Sequence, residues 1–384
     1  VTPRIYLDWA ATTTVRPEVI DVMVPLLAGS YNPSSTHADG RAARAVLDDA
    51  RATVARVLGA RPREIVFTAG GSEGDVLAIV GAAKARAGAG RHVITAATEH
   101  HAVLHAVDVL EAEGWSVTRL GVTPAGVVDP QAVAAAIRPD TTLVSIMLGN
   151  NETGTIQPVA AIADAAHARG VLVHTDAVQA AGYLDLDVDR LGVDLLTLSG
   201  HKFGAPKGVG VLYVRTGTPV APQIVGGGQE HGLRAGTENL AGIAGLARAL
   251  ALAEAERPEV APRVGSRRDR LEAAVLARVR DVRTVAAGAP RLPHIASLAF
   301  ADVPSDALLI ALDLEGVSAS AGSACAAGSL EPSHVVEALG IPAPYATGVV
   351  RFSLGRETTE AEVDRAAAIV AAVVDRAQSA EQPV

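Results

Sequence analysis

Cysteine is almost missing from this chain: 384 residues contain one, Cys325. No intrachain disulfide can form, which fits a reducing compartment and a fold held by its core alone. One thiol is still enough for a nucleophile. An excess of positive charge is also missing. The net charge is -9, which argues against a generally basic nucleic-acid surface and leaves open a local patch or a protein partner that carries the nucleic acid. No uncharged apolar run is long enough to cross a bilayer, and Val1 to Asp8 lacks a charged stretch followed by an apolar core. The expectation is a soluble, cytoplasmic protein with no membrane partner.

What the chain does have is length and pattern. At 384 residues, 49% of them apolar, two domains and a self-sufficient core are within reach. From Ile65 onward, short β-rich runs alternate with Ala-rich helical stretches, the pattern of a mostly parallel sheet wrapped by crossover helices. Ile65 to Thr68, His92 to Thr95, Leu143 to Met147, Val171 to Thr175, Leu195 to Ser199 and Val209 to Val214 read as strands, several apolar on both faces. Glu73 to Ala87, His101 to Glu113 and Ala160 to Arg169 read as helices, with Gly88, Gly114 and Gly170 placed as C-terminal stops. A helix over Asn239 to Ala255 precedes Arg257 to Pro262, whose two prolines and charges suit a passage between domains. Beyond it come a helix near Arg263 to Val279, a strand Ile295 to Phe300, a helix Ser305 to Leu314, a strand Val349 to Leu354 and a final helix from Thr359. The expected division is a large domain over residues 15–260 and a smaller α+β domain made of residues 1–14 and 261–384.

Chemistry concentrates at a few strand ends. Leu195-Leu-Thr-Leu-Ser-Gly-His-Lys202 closes an apolar strand with a lysine. An amine withdrawn from water there gives up its proton more readily and can form a Schiff base with an aldehyde cofactor, while Ser199 and His201 can bind that cofactor's phosphate. A surface lysine capping a strand is the bland alternative. The strand Val171 to Thr175 delivers Asp176 and then Gln179. In an open α/β sheet both Asp176 and Lys202 emerge at the ligand-binding edge, where a carboxylate facing a pyridine nitrogen keeps it protonated. Asp176 as a plain helix cap is the alternative. Thr68-Ala-Gly-Gly-Ser-Glu-Gly opens a helix, so bare backbone N–H groups and Ser72 can cradle a phosphate at Gly71, or the glycines serve only as a connection.

Cys325 lies in Ser318-Ala-Ser-Ala-Gly-Ser-Ala-Cys-Ala-Ala-Gly-Ser-Leu, a run of small residues that reads as a mobile loop able to carry a thiol to and from a site. One of His100 and His101 is expected in the same cleft as an acid, a base or an aromatic lid, the other facing solvent. Arg351, in a strand-like run, needs an anion: a substrate carboxylate or a structural ion pair.

In this order the segments resemble the cysteine desulfurases of the NifS/IscS type, within the class V, aspartate-aminotransferase-like fold of pyridoxal-phosphate-dependent transferases. The resemblance runs from Tyr6-Leu-Asp to the final helix through Asn32-Pro-Ser-Ser-Thr-His37, Gly71-Ser72-Glu73, Thr98-Glu-His100, Asn150-Asn-Glu-Thr-Gly154, Gly226-Gly-Gly-Gln-Glu230, Arg234-Ala-Gly-Thr237, Gly322-Ser-Ala-Cys325 and Arg351-Phe-Ser-Leu-Gly-Arg356. It implies Lys202 as the cofactor's covalent anchor, Asp176 on the pyridine nitrogen, Gln179 near the ring oxygen and His100 stacked on the ring. It implies phosphate contacts from Gly71, Ser72, Ser199 and His201, with Thr237 contributed across a homodimer interface. Asn151 and Arg351 would hold the carboxylate of L-cysteine, and Cys325 would take its sulfur as a persulfide, leaving L-alanine. The Gly-Ser-Ala-Cys form looks like the subgroup whose cysteine travels to acceptor proteins. Val76 and Trp9 depart from the residues common in such relatives.

Iron-sulfur cluster assembly, tRNA thiolation and DNA phosphorothioation are all destinations such sulfur can have, so a separate acceptor protein is expected to dock near Cys325, with no direct nucleic acid and no metal. Two other readings compete: a transaminase or lyase of the same fold without sulfur transfer, and a non-catalytic scaffold for sulfur acceptors. The scaffold needs none of Lys202, Asp176 and Cys325.

Overall fold

Strands buried along their whole length need cover on both faces, and the central sheet is made of such strands. The computed structural model describes residues 3–29, 31–322 and 332–380. In chain order it places β1 (Ile5–Tyr6), α1 (Pro17–Ala28), α2 (Ala38–Val57), β2 (Ile65–Thr68), α3 (Gly71–Ala85), β3 (His92–Ala96), α4 (His101–Ala112) and β4 (Ser116–Leu120). There follow α5 (Pro130–Ala136), β5 (Thr141–Ser145), α6 (Val159–His167), β6 (Leu172–Asp176), α7 (Val188–Leu191), β7 (Leu195–Ser199) and β8 (Gly210–Val214). The rest is α8 (Leu240–Leu276), β9 (Val282–Thr284), β10 (Ile295–Phe300), α9 (Ser305–Leu314), β11 (Val317–Ser318), α10 (His334–Ala338), α11 (Ala343–Ala346), β12 (Val349–Ser353) and α12 (Glu360–Ala380).

The main sheet has seven strands in the order β2-β8-β7-β6-β5-β3-β4. Neighbours from β4 to β7 run parallel, and β8 is antiparallel to both β7 and β2. This is the mostly parallel α/β sheet that the alternation of strand and helix predicts. Five of its strands, β2, β3, β5, β7 and β8, are buried at every residue. β4, which carries no strong strand signal, is the half-exposed edge. A second, antiparallel sheet β12-β10-β9 and a parallel pair β1-β11 sit over a separate apolar core built around Leu298, Phe300, Phe352 and Val370. Bridges Asp8 to Ser353 and Ser320 to Arg351 join the pair to β12.

The sequence reading needs correcting at two places. The expected break between two helices at Arg257 to Pro262 is instead the middle of one 37-residue helix, α8, with Pro258 and Pro262 inside it. Its first half buries Leu240, Ile243, Leu246 and Leu250 in the core of the main sheet, and its second half buries Val260, Val264, Leu271 and Val275 in the other core. Packing on both sides outweighs the roughly 3 kcal/mol that an interior proline costs. Gly114 and Gly170 do adopt the left-handed conformation of helix stops, with φ of 85° and 70°. Gly88 does not, because α3 ends earlier, at Ala85.

Candidate active site

Parallel strands bring their carboxyl ends to one edge, and the connections there hold whatever the sheet binds. At or beyond the ends of β3, β5, β6 and β7 lie His100, Asn151, Asp176 and Lys202, and all four line one cavity of about 230 Å³. Gln179 and Arg351 complete its wall. Gly71, Ser72, Ser199 and His201 line it too, and share an adjoining recess with Lys207. Segments spread over 280 residues of chain, Gly71 to Arg351, thus meet as the sequence predicts. Thr237 is exposed on a loop and does not line the cavity. Cys325 lies outside the described residues, though Gly322 and His334, described residues on either side of it, both line the cavity.

Lys202 donates from Nζ to the carbonyls of Ala10 and Ala11, at 2.6 and 2.9 Å. Gln179 Nε2 donates to the same Ala10 oxygen at 3.0 Å. The segment after β1 is therefore part of the site, which no local pattern in the sequence announces.

Asp176 accepts the Val178 amide hydrogen at 2.9 Å. Burial pushes its carboxyl above the usual range, against the pull of His100 and Lys202. Two further buried carboxyls share its surroundings, and neither was visible as a site residue. Glu99 takes the Met147 amide on both oxygens, at 2.9 and 3.1 Å. Asp75, in the first turns of α3, places Oδ1 3.6 Å from His174 Nε2. Burial, reinforced by the charge of Asp176, pushes both carboxyls well above their ordinary values. Burial pushes His174 the other way, down to about 3, so its ring is neutral and pairs with Ser145 and Thr197 at 2.9 and 3.0 Å. Burial thus raises three neighbouring carboxyls together, with His100 and Lys202 drawing Asp176 the other way, and a ligand carrying positive charge beside Asp176 would favour its ionised form.

At the other end the chemistry reverses. The 15-residue α3 begins at Gly71, so its free N–H groups and Ser72 open into the cavity, and a helix N-terminus attracts anions. A Cβ on residue 71 would lie 2.9 Å from Val178 Cγ2, so a larger residue would have to displace that side chain. His201 is pushed down to about 4 by burial and by the neighbouring Lys202 and Lys207, and its Nδ1 lies 3.2 Å from Thr12 Oγ1. A neutral ring of this kind, two hydroxyls and a helix terminus together form a phosphate-type cradle.

His100 caps α4, its Nδ1 accepting the Ala102 amide hydrogen at 3.1 Å, which leaves the ring hydrogen on Nε2. Burial lowers its pKa. His101 was expected to face solvent if His100 took the cleft; instead it too lines the cavity, its ring 4.6 Å from that of His334 and 5.3 Å from that of His105. The half-exposed mouth of the site is simply wide enough for both.

Arg351 makes the ion pair that one reading of its charge requires, with Asp8. It is 2% exposed and donates from Nη1 to the Asn151 and Gly322 carbonyls, at 2.7 and 2.9 Å, and from Nη2 to Asp8 at 2.9 Å. Its Nε finds no partner among the described residues, although it is buried in a residue that lines the cavity. A buried N–H donor is costly to leave unmade.

Val76 is 36% exposed on α3, and Trp9 packs edge-to-face on Tyr6 with its Nε1 donating to the Tyr6 carbonyl at 3.0 Å. Neither of these departures lines the cavity.

Residues 5–366 match the family model described as aminotransferase class-V. The chain is 44% identical over 374 residues to a cysteine desulfurase IscS of Dictyoglomus turgidum, covering 97% of this chain and 95% of that one. A solved NifS-like protein superimposes with a TM-score of 0.91 at 34% identity, over 97% of this chain and 100% of its own. A structure described as SspA in complex with cysteine superimposes with a TM-score of 0.81 at 36% identity, over 92% and 100%.

Proposed function

The chain belongs to the aminotransferase class-V family, and from that premise we propose that it is a pyridoxal-phosphate-dependent cysteine desulfurase that moves the sulfur of L-cysteine onto Cys325. The observation that carries the reading is one cavity with three kinds of end: an amine on Lys202, a buried carboxyl on Asp176, and an unpartnered donor on Arg351.

Lys202 would anchor the cofactor aldehyde, Asp176 would face its ring nitrogen, and Gly71, Ser72, Ser199 and His201 would take its phosphate. Bound there, pyridoxal phosphate supplies an electron sink conjugated to the substrate's Cα. Arg351 and Asn151 hold the substrate carboxylate, which fixes Cα beside Lys202 Nζ. Released from its anchoring role, Lys202 Nζ takes the Cα proton. The Cys325 thiolate attacks the substrate sulfur, the bond from that sulfur to Cβ breaks with its electron pair left on carbon, a proton completes the methyl group, and Lys202 Nζ returns a proton to Cα. The balance is enzyme thiol plus L-cysteine giving enzyme persulfide plus L-alanine, with no external oxidant. We assign the remaining proton transfer to His100, which lines the cavity with a pKa lowered by burial.

We assign the two cores to a large domain over residues 15–260 and a small one over residues 1–14 and 261–384. We further assign a cytoplasmic homodimer that places Thr237 at the partner's cavity, and an acceptor protein docking beside Cys325.

The test is alanine and sulfide release from L-cysteine with a reductant, for the purified yellow protein and its Lys202→Ala and Cys325→Ala variants. Equal amounts of both products, lost in both variants, are expected. Full turnover in Cys325→Ala would instead make direct elimination on the cofactor the account. Keto-acid production without alanine would point to a transaminase.

A further inference from the structure

Gln179 is held at both ends of its amide. Nε2 donates to the Ala10 carbonyl at 3.0 Å, and Oε1 lies 3.2 Å from Nε2 of His294. A carbonyl only accepts, so the Ala10 contact decides which end of the amide is nitrogen. The amide oxygen then faces His294, whose Nε2 has to carry the hydrogen.

The surroundings of His294 enforce that arrangement. It is 2% exposed, immediately precedes β10, and stacks on Tyr183 with ring centroids 4.0 Å and planes 12° apart. Its backbone carbonyl accepts the Leu354 amide hydrogen at 2.8 Å, at the end of the strand that carries Arg351. Burial, with the charges of Arg351, Lys202 and Arg268 facing it, pushes the ring down to about 3, so it is neutral with a single ring hydrogen. Nδ1 has no partner among the described residues, which leaves Nε2 as the place where that hydrogen is used.

We propose that His294 is a positioning residue of the cofactor site: its Nε2–H fixes Gln179 Oε1, so that the amide turns its nitrogen to the cavity and keeps its second hydrogen for an anionic oxygen of the bound ring. This rests on the cofactor reading given above. Without His294 the Ala10 carbonyl alone holds the amide, at one end only, so its nitrogen is kept less firmly toward such an anion. A donor on that oxygen weakens its hold on a shared proton, so losing the donor raises the pH at which the cofactor's visible absorption changes.

The experiment is a pH titration of visible absorption for the cofactor-loaded wild type, His294→Phe and His294→Gln, and for Gln179→Leu with and without His294→Phe. Phenylalanine keeps the stack on Tyr183 and removes the donor; glutamine restores an N–H at the same reach. The midpoint is expected to rise by about 0.5–1 pH unit in His294→Phe, the size of one lost hydrogen bond, and to return in His294→Gln. In the Gln179→Leu background His294→Phe should add nothing. An unmoved midpoint in loaded His294→Phe overturns the assignment, as does an equal rise in His294→Phe and His294→Gln, or a further full rise when His294→Phe is added to Gln179→Leu. Wild-type protein that carries no cofactor overturns the reading of the whole site instead, a different result from a loaded variant that does not shift.

Discussion

Lys202 and Gln179 share an acceptor: Nζ of one and Nε2 of the other meet on the Ala10 carbonyl, 2.6 and 3.0 Å away. That carbonyl is held in turn. The Ala10 amide donates to Ser353 Oγ at 2.9 Å, and Ser353 is fully buried in β12, two residues from Arg351. Amine, amide and guanidinium are therefore registered against one short turn after β1, Asp8 to Ala11.

Ser353→Ala leaves the buried Ala10 N–H without an acceptor. A loss of about 1–3 kcal/mol is expected, measured as a lower urea midpoint with an unchanged slope. An unchanged midpoint would show that the segment after β1 does not depend on this contact.

Arg351→Lys keeps the charge and loses the fork that reaches Asp8, Asn151 and Gly322 together. With charged hydrogen bonds each contributing about 1.5–3 kcal/mol, KM for L-cysteine should rise about 10–100-fold and kcat should change less. A KM equal to the wild-type value would remove Arg351 from substrate binding and leave it as the ion-pair partner of Asp8.

His100 has its pKa lowered from 6.5, with burial as the first cause. A base that works as the neutral ring is then available to lower pH than an ordinary histidine, so the acid limb of kcat/KM should have its midpoint below 6.5. His100→Gln should lower the rate about 10²–10⁴-fold and take that limb away. A limb that survives in His100→Gln belongs to another group.

Glu99 tests the sign of the buried carboxyls. Its folded pKa is raised well above 4.5 by burial, so below about pH 4.5 folded and unfolded chains both hold the proton and stability is at its fullest. As pH rises past that value the unfolded chain ionises first, and stability falls until the folded group follows. Glu99→Gln should flatten the fall in urea midpoint between about pH 4.5 and neutrality in the cofactor-free protein. Asp75 and Asp176, raised in the same sense, keep some slope. A slope identical to the wild type's would mean that Glu99 is ionised in the fold.

Signals confined to neighbouring residues were legible. β2, β7, β10 and α9 fall where their runs of apolar or helix-forming residues place them, because period and composition are local properties. The cavity was legible too, because Lys202, Asp176 and His100 each end or follow a buried strand, and strand ends in a parallel sheet share an edge. What stayed hidden depends on contacts across the chain. His294 meets Gln179 115 positions away in sequence, and Lys202 meets Ala10 192 positions away; nothing near either residue encodes the encounter. Asp75 and Glu99 looked like ordinary helix-start and strand-end acids, and only their complete burial marks them out. The two prolines of α8 misled for the opposite reason, since their local breaking tendency lost to packing on two cores.

That helix has a mechanical side. At 1.5 Å per residue its 37 residues reach about 55 Å. Pro258 and Pro262 have no N–H to give to the carbonyls one turn back, those of Glu254 and Pro258. The two rungs missing from the ladder cover the passage from the last residue it sinks into one core, Ala253, to the first two it sinks into the other, Val260 and Val264. α8 is thus a stiff rod at either end with its compliance gathered at one joint, and bending of one core against the other along this rod is concentrated in that single stretch.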